Sequence, residues 1–235
     1  MILPLMTALS LATAATPACP ATQNSAGFLC RAVEASDDKK FAEAADAFDK
    51  AAAASPQGDP RTQRMLAAAG NMWIAADQAG KAALSLDRAL AGSGLQADQR
   101  GMALLDRARA AQAQGDLKAA RRFAKHAQPG ASEDPFYWYF SSALAIREGD
   151  LPTAKMAINR ALTLAKDDPA ILFEAGHVAA AEGDKQGARA YWQKALDADP
   201  GGATGLAAKQ ALAMVDVPLT VSAPQATPTM PKDKK

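Results

Sequence analysis

Residues 169–202 read PAILFEAGHVAAAEGDKQGARAYWQKALDADPGG, and the placing of small and large side chains in this stretch decides the fold. Ala188 and Ala195 stand seven residues apart in it. The same pair recurs upstream. Ala44, Ala82, Ala120, Ala154 and Ala188 fall at steps of 38, 38, 34 and 34 residues, and Ala51, Ala89, Ala127, Ala161 and Ala195 follow each of them by seven. A period of about 34 residues marks stacked pairs of helices. Each period holds two amphipathic stretches joined by a short turn, and three turns read Gly115-Asp116, Gly149-Asp150 and Gly183-Asp184. Glycine there takes the left-handed backbone that ends one helix. The aspartate after it accepts a backbone N–H of the next. Pro152 sits in a first turn, where its missing N–H costs nothing, and Pro56 and Pro200 close their units.

The register has a packing reason. Interiors are filled to crystal-like density, so two helices come close only where a small side chain meets a large one. Gly70, Ala108 and Gly176 are placed to admit the second helix, and Phe48, Leu86, Ile158 and Trp192 to fill the space between units. Five units follow, at 25–58, 63–96, 101–134, 135–168 and 169–202, after a short segment at 19–24. Asp59–Thr62 and Ala97–Arg100 are four-residue insertions, each about one helical turn. Arg31 and Arg107 fall where an apolar residue is usual, and Gln128-Pro129-Gly130 is expected to cut its helix short. Residues 203–216 read as a capping helix, because an open stack would expose its last apolar face. Residues 217–235 read as a disordered tail, too poor in apolar side chains to fold.

These residues resemble the tetratricopeptide repeat. The last unit places Leu172, Gly176, Ala188, Trp192, Ala195 and Pro200 in its pattern; the first places Phe28, Ala32, Ala44, Phe48, Ala51 and Pro56. Leu66, Gly70, Trp73, Ala82 and Ala89 fit in the second unit, Leu104, Ala108, Ala120 and Ala127 in the third, and Trp138, Ser142, Ala154, Ile158 and Ala161 in the fourth. The resemblance implies an all-α, right-handed superhelix of helix-turn-helix repeats whose first helices line a concave groove for a protein or peptide partner. Its inward places carried onto this chain are Arg64, Asn71 and Ile74 in the second unit, then Leu105, Asp106, Arg109 and Gln112 in the third. The fourth unit adds Phe136, Tyr139, Phe140 and Arg147, and the fifth Phe173, Glu174 and His177. Helical geometry turns the run Phe136–Phe140 around its axis. Trp138 is assigned to the core, and Phe136, Tyr139 and Phe140 to the groove as anchors for a partner's side chain; the alternative is that they only pack on the next unit. The Lys/Asn/Arg set with which some members grip a terminal carboxylate is not matched: Asn71 is present, but Asp106, Phe136 and Phe140 occupy other places.

The ends of the chain bear on its location. Met1–Ala18 carries no charged side chain, and Ala12-Thr13-Ala14 is a small-residue cleavage pattern. This reads as a secretory signal peptide cleaved near 14 or 18, too short to span a bilayer. No Lys or Arg precedes Arg31, which departs from the usual charged start. A periplasmic or otherwise exported protein is the expectation. Cys19 and Cys30 are the only cysteines. They can form a disulfide, Cys19 can carry a lipid that tethers the protein to the outer membrane, or both can stay thiols. Thr16 stands where bacterial lipoprotein signals usually have leucine.

Composition narrows the function. A net charge of +1 argues against nucleic-acid binding, which relies on cations that neutralise phosphates. His126 and His177 are the only histidines, and no metalloprotease, redox or nucleophile motif is present. Gly92-Ser93-Gly94-Leu95-Gln96-Ala97 matches a dinucleotide fingerprint, but with no strand before it the stretch reads as a loop. No catalytic residue, cofactor or metal is expected. The leading reading is a non-enzymatic exported adaptor. A lipid-anchored subunit of an outer-membrane or secretion assembly, a self-associating structural protein and an accessory domain of an enzyme are the alternatives. Ala120→Leu is expected to cost about 1–3 kcal/mol by overpacking, read as a lower melting temperature.

Overall fold

The computed structural model describes residues 19–215, so the signal-peptide reading of 1–18 and the tail reading of 217–235 lie outside the described residues. Among the described residues there are eleven helices and no strand. They are α1 (Ser25–Asp37), α2 (Phe41–Ala53), α3 (Thr62–Ala75), α4 (Ala79–Ala91), α5 (Ala97–Ala113), α6 (Leu117–Ala131), α7 (Pro135–Glu148), α8 (Leu151–Leu164), α9 (Pro169–Ala181), α10 (Lys185–Ala198) and α11 (Ala203–Met214). The fold is all-α and built of helical pairs. It divides into two compact units, one ending at Ala131 and the other starting at Ser132. In the first, α1 packs on α2, α3 on α4 and α5 on α6, with α2 against α3, α4 against α5 and α3 against α5. In the second, α7 pairs with α8 and α9 with α10, while α9 also meets α7 and α8, and α11 covers α10 and part of α9.

All ten alanines of the register are fully buried, at 0 % exposure. The glycines show how tight the approach is. A Cβ on Gly70 would collide with the Leu86 side chain, and one on Gly176 with the Trp192 indole. Trp192 also donates its Nε1–H to the Phe173 carbonyl across the pair, at 3.1 Å.

The turns have two solutions. Gly115, Gly149 and Gly183 are left-handed, with φ of 81, 74 and 83°. In the first two pairs Lys39 and Asp77 hold that conformation, with φ of 59 and 57°. A side chain there costs about 1–2 kcal/mol relative to glycine, and the glycine-aspartate signature is lost. Where it is present, the aspartates cap as expected: Asp116 accepts from Ala119 N at 2.9 Å, and Asp184 from Gly187 N at 2.8 Å.

Other local expectations are corrected. Helix α6 is not cut at Gln128-Pro129-Gly130 but runs through Pro129 to Ala131. Packing outweighs the proline, because Gly101 and Gly130 bring the α5 and α6 backbones together; a Cβ on Gly101 would lie 2.6 Å from the Gly130 carbonyl carbon. The insertion Ala97–Arg100 lengthens α5 to 17 residues. The insertion at Asp59–Thr62 instead forms most of a loop, in which Asp59 accepts from the Arg61 N–H at 2.8 Å. Arg31 and Arg107 leave the core. Arg31 donates to the Pro20 carbonyl at 2.6 Å and lies over Phe28, while Arg107 pairs with Asp87 at 2.7 Å and lies over Phe123.

Cys19 and Cys30 form a disulfide with 5.6 Å between their Cα atoms. It fastens the segment before α1 to that helix, contributing about 2–3 kcal/mol in the chain-entropy account. A sulfur held in this bridge has no valence left for a lipid thioether, so the bridge and a lipid on Cys19 are alternative states.

Two glycine replacements separate packing from helix propensity. Gly101→Ala is expected to cost about 1–3 kcal/mol, since backbone cannot move aside as a side-chain end can. Gly80→Ala, where the nearest atom would be Gln114 Nε2 at 3.9 Å, is expected to stabilise by up to about 1 kcal/mol. Thermal melts of both variants check the pair.

Candidate functional site

In the first unit the first helices of successive pairs present a recess of about 440 Å3. Phe48 from α2, Ala67, Ala68 and Met72 from α3, Leu95, and Ala103 from α5 make an apolar floor. Arg64, Asn71, Asp98 and Asp106 stand around it. A second hollow of about 250 Å3 shares Phe48, Arg64 and Ala68, and extends the channel toward Leu29 and Met65.

The polar side is ordered by its own bonds. Asn71 Nδ2 donates to Asp106 at 2.9 Å, and Arg109 Nη1 donates to the other oxygen of the same carboxylate at 2.7 Å. The chain Asn71–Asp106–Arg109 ties α3 to α5 and fixes the direction of each group. Arg64 is exposed, and Ile74 and Gln112 are half-buried. Leu105 does not belong to this face: it is 1 % exposed. Helix α5 is covered by α3, α4 and α6, so a residue one step from Asp106 turns into the packing.

The second unit presents an aromatic face on α7 and α9. Phe136 lies 5.6 Å from Tyr139 and 6.3 Å from Phe140, ring to ring. Phe136 and Tyr139 are half-buried, but Phe140 is 4 % exposed and is a core residue, which corrects its assignment to the groove. Tyr137 is buried as well. Trp138 is half-buried against the core of Ala145, Ile158 and Val178, and its Nε1–H reaches the Ser132 carbonyl at 2.7 Å. A indole with a polar edge sits at a boundary, where that N–H finds a partner.

Glu174 is 8 % exposed, so it lies beneath this face rather than on it, a further correction. Its carboxylate accepts from Ser142 Oγ at 3.4 Å. Burial pushes its pKa up to about 7, against the opposing pull of the Ser142 hydrogen bond and the Arg147 charge. Burial also raises the Tyr139 hydroxyl, with Glu174 and Asp168 adding to it. Arg147 itself is exposed. His177 stands edge-on to Phe173 at 4.5 Å and to Trp192 at 5.6 Å, and burial lowers its pKa, favouring the neutral ring. Phe173, His177 and Trp192 open onto a hollow of about 590 Å3 closed by Ala211, Met214 and Val215 at the end of α11.

Gly92–Ala97 joins α4 to α5 with no strand beside it. Among the described residues no three His, Cys, Asp or Glu side chains are grouped to hold a metal ion, and no helix is long and apolar enough to cross a membrane.

The arrangement of helical pairs is found in solved structures. The chain is similar to a tetratricopeptide repeat protein from Parabacteroides merdae, at 17% identity and a TM-score of 0.60, over 83% of this chain and 72% of that one. YrrB, a tetratricopeptide protein with an unusual peptide-binding site, aligns at 18% identity and 0.56, over 80% and 93%. PilW, a type IV pilus biogenesis factor, aligns at 17% identity and 0.65, over 79% and 82%. The chain has the tetratricopeptide-repeat fold. No protein-family profile and no curated protein matches the sequence.

Glu174 makes the stability of this tetratricopeptide fold depend on pH. Its pKa is raised above the ordinary 4.5 to about 7, so the folded chain holds a proton that the unfolded chain has released. Stability then falls as pH rises from about 4.5 to about 7 and stays lower by about 3 kcal/mol above that window. Glu174→Gln is expected to raise the melting temperature at pH 8 and leave it unchanged at pH 4. A melt series across pH reads the difference.

Proposed function

We propose that this chain is a non-enzymatic adaptor of the bacterial cell envelope that binds a polypeptide segment along the first helices of its pairs. The observation that carries the reading is the recess between α3 and α5, with its apolar floor and its fixed Asn71–Asp106–Arg109 edge. A partner's large apolar side chain fits the floor. Asn71 keeps a carbonyl and Asp106 its remaining acceptor capacity for the partner's backbone. Because these groups are already held in place, little ordering cost falls on binding. In the second unit Phe136, Tyr139, Phe173 and His177 offer rigid rings of the kind that dominate interface energies.

The Cys19–Cys30 bridge supports an oxidising compartment. It agrees with the leader-like composition of Met1–Ala18 and with the likeness to a pilus biogenesis factor. The likeness to a protein with a peptide-binding site supports a peptide ligand.

A photo-crosslinking residue at Met102, which is 41 % exposed on the rim of the recess, is expected to capture the partner in cells. The same probe at Leu84, 68 % exposed on α4 and outside the recess, is expected to capture nothing. Arg64→Ala should weaken binding of the captured partner by about 1–2 kcal/mol with an unchanged melting temperature. Equal capture at both positions would overturn the groove reading.

A further inference from the structure

We propose that the outer face of α6 is a second docking surface, for an acidic polypeptide segment of a partner protein. Leu117–Ala131 carries Lys118, Arg121, Arg122 and Lys125 and no carboxylate, in a chain whose net charge is +1. Lys118, Arg122, Lys125 and His126 are all exposed. At 118, 122, 125 and 126 they follow the helical 3–4 spacing and form one stripe just over two turns long, about 12 Å.

What sets this stripe apart is that its cations are grouped on one helix that has no carboxylate of its own. Elsewhere in the first unit Lys40, Lys50, Arg61, Arg88, Arg107 and Arg109 each sit against an aspartate, and Arg31, Arg100 and Lys81 are met by carbonyls or a ring. Among the described residues no carboxylate pairs with Lys118, Arg122 or Lys125. Arg122 instead leans over Phe123, which Arg107 also lies over. Like charges at 118 and 122 repel on the helix surface, and a row of carboxylates at the same spacing would relieve that repulsion. The stripe lines neither hollow of the α3–α5 face, so the inference does not rest on the groove.

The chemistry selects an acidic protein segment over a lipid surface. A helix that lies on a membrane sinks its apolar side into the acyl boundary. The apolar side of α6, with Ala119, Ala120, Ala124 and Ala127, is already buried in its own unit. The stripe offers charge alone, and two turns of it match a short acidic helix or strand of chain.

The test uses the full chain and a fluorescein-labelled, alanine-based helix with glutamates at i, i+4, i+7 and i+8, followed by fluorescence anisotropy at low and high salt. Binding is expected, weakened by salt. Lys118→Glu/Arg122→Glu/Lys125→Glu should reduce affinity by about tenfold or more. Lys166→Glu/Lys194→Glu/Lys209→Glu, with the same change in net charge, should leave it nearly as it was. If the reversed stripe lowers the melting temperature, the glutamine triple variant replaces it, with the same ordering expected. Equal losses in the two triple variants, no loss in either, or stripe-dependent binding to phosphatidylglycerol vesicles with none to the peptide would each overturn the proposal.

Discussion

Two helices approach only as far as the smallest side chains between them allow, and this chain is organised around that limit. Ten alanines in one register are wholly buried, and Gly70 and Gly176 are pressed against Leu86 and Trp192. The glycines lie on first helices and the alanines on second helices, so small residues on both sides set the depth to which the helices close. The depth fixes which face of the first helix remains outward. The recess between α3 and α5, and the aromatic face of α7 and α9, are consequences of that closure rather than separate inventions.

The same constraint explains what could be read from the sequence alone. The alanine register carried the helical pairs, because burial at those ten positions tolerates nothing larger. Turn chemistry was less legible. Lys39 and Asp77 adopt a left-handed backbone that glycine usually takes, and a lysine or aspartate in a polar turn gives no signal of it. Pro129 misled for the opposite reason. Its local preference is to end a helix, but the Gly101–Gly130 approach belongs to the α5–α6 contact and outweighs it.

The site was legible in part. Arg64, Asn71 and Asp106 come together at one recess, because their spacing on α3 and α5 sets their face. Leu105 and Phe140 turn inward, since α5 and α7 are each packed on more than one side and the outward arc is narrower than the family pattern implies. Trp138, assigned to the core, lies only half-buried with its N–H at the edge, and Tyr137 beside it is the buried ring. One cluster had no sequence signal at all. Asp49 accepts from Trp73 Nε1 and Ser85 Oγ, each at 2.9 Å, and so joins α2, α3 and α4. Its members lie 24 and 36 residues from Asp49, and no local pattern links them.

A helical pair thus has two kinds of surface with different physical uses. The face of α3 and α5 is apolar with polar groups already bonded to one another, so in the proposed role it would hold a ligand by contact area and shape. On the outer face of α6, Lys118, Arg122 and Lys125 pair with no carboxylate among the described residues. Exposed ion pairs add little to stability, so leaving these cations unpaired costs the fold little. Their reach is longer, about 10 Å before salt screens it. A charged stripe therefore acts on encounter and orientation, whereas a recess acts on residence time. A protein that carries both can draw in an acidic segment of a partner on a second helix and retain an apolar segment on the first, each tuned without disturbing the alanine contacts beneath.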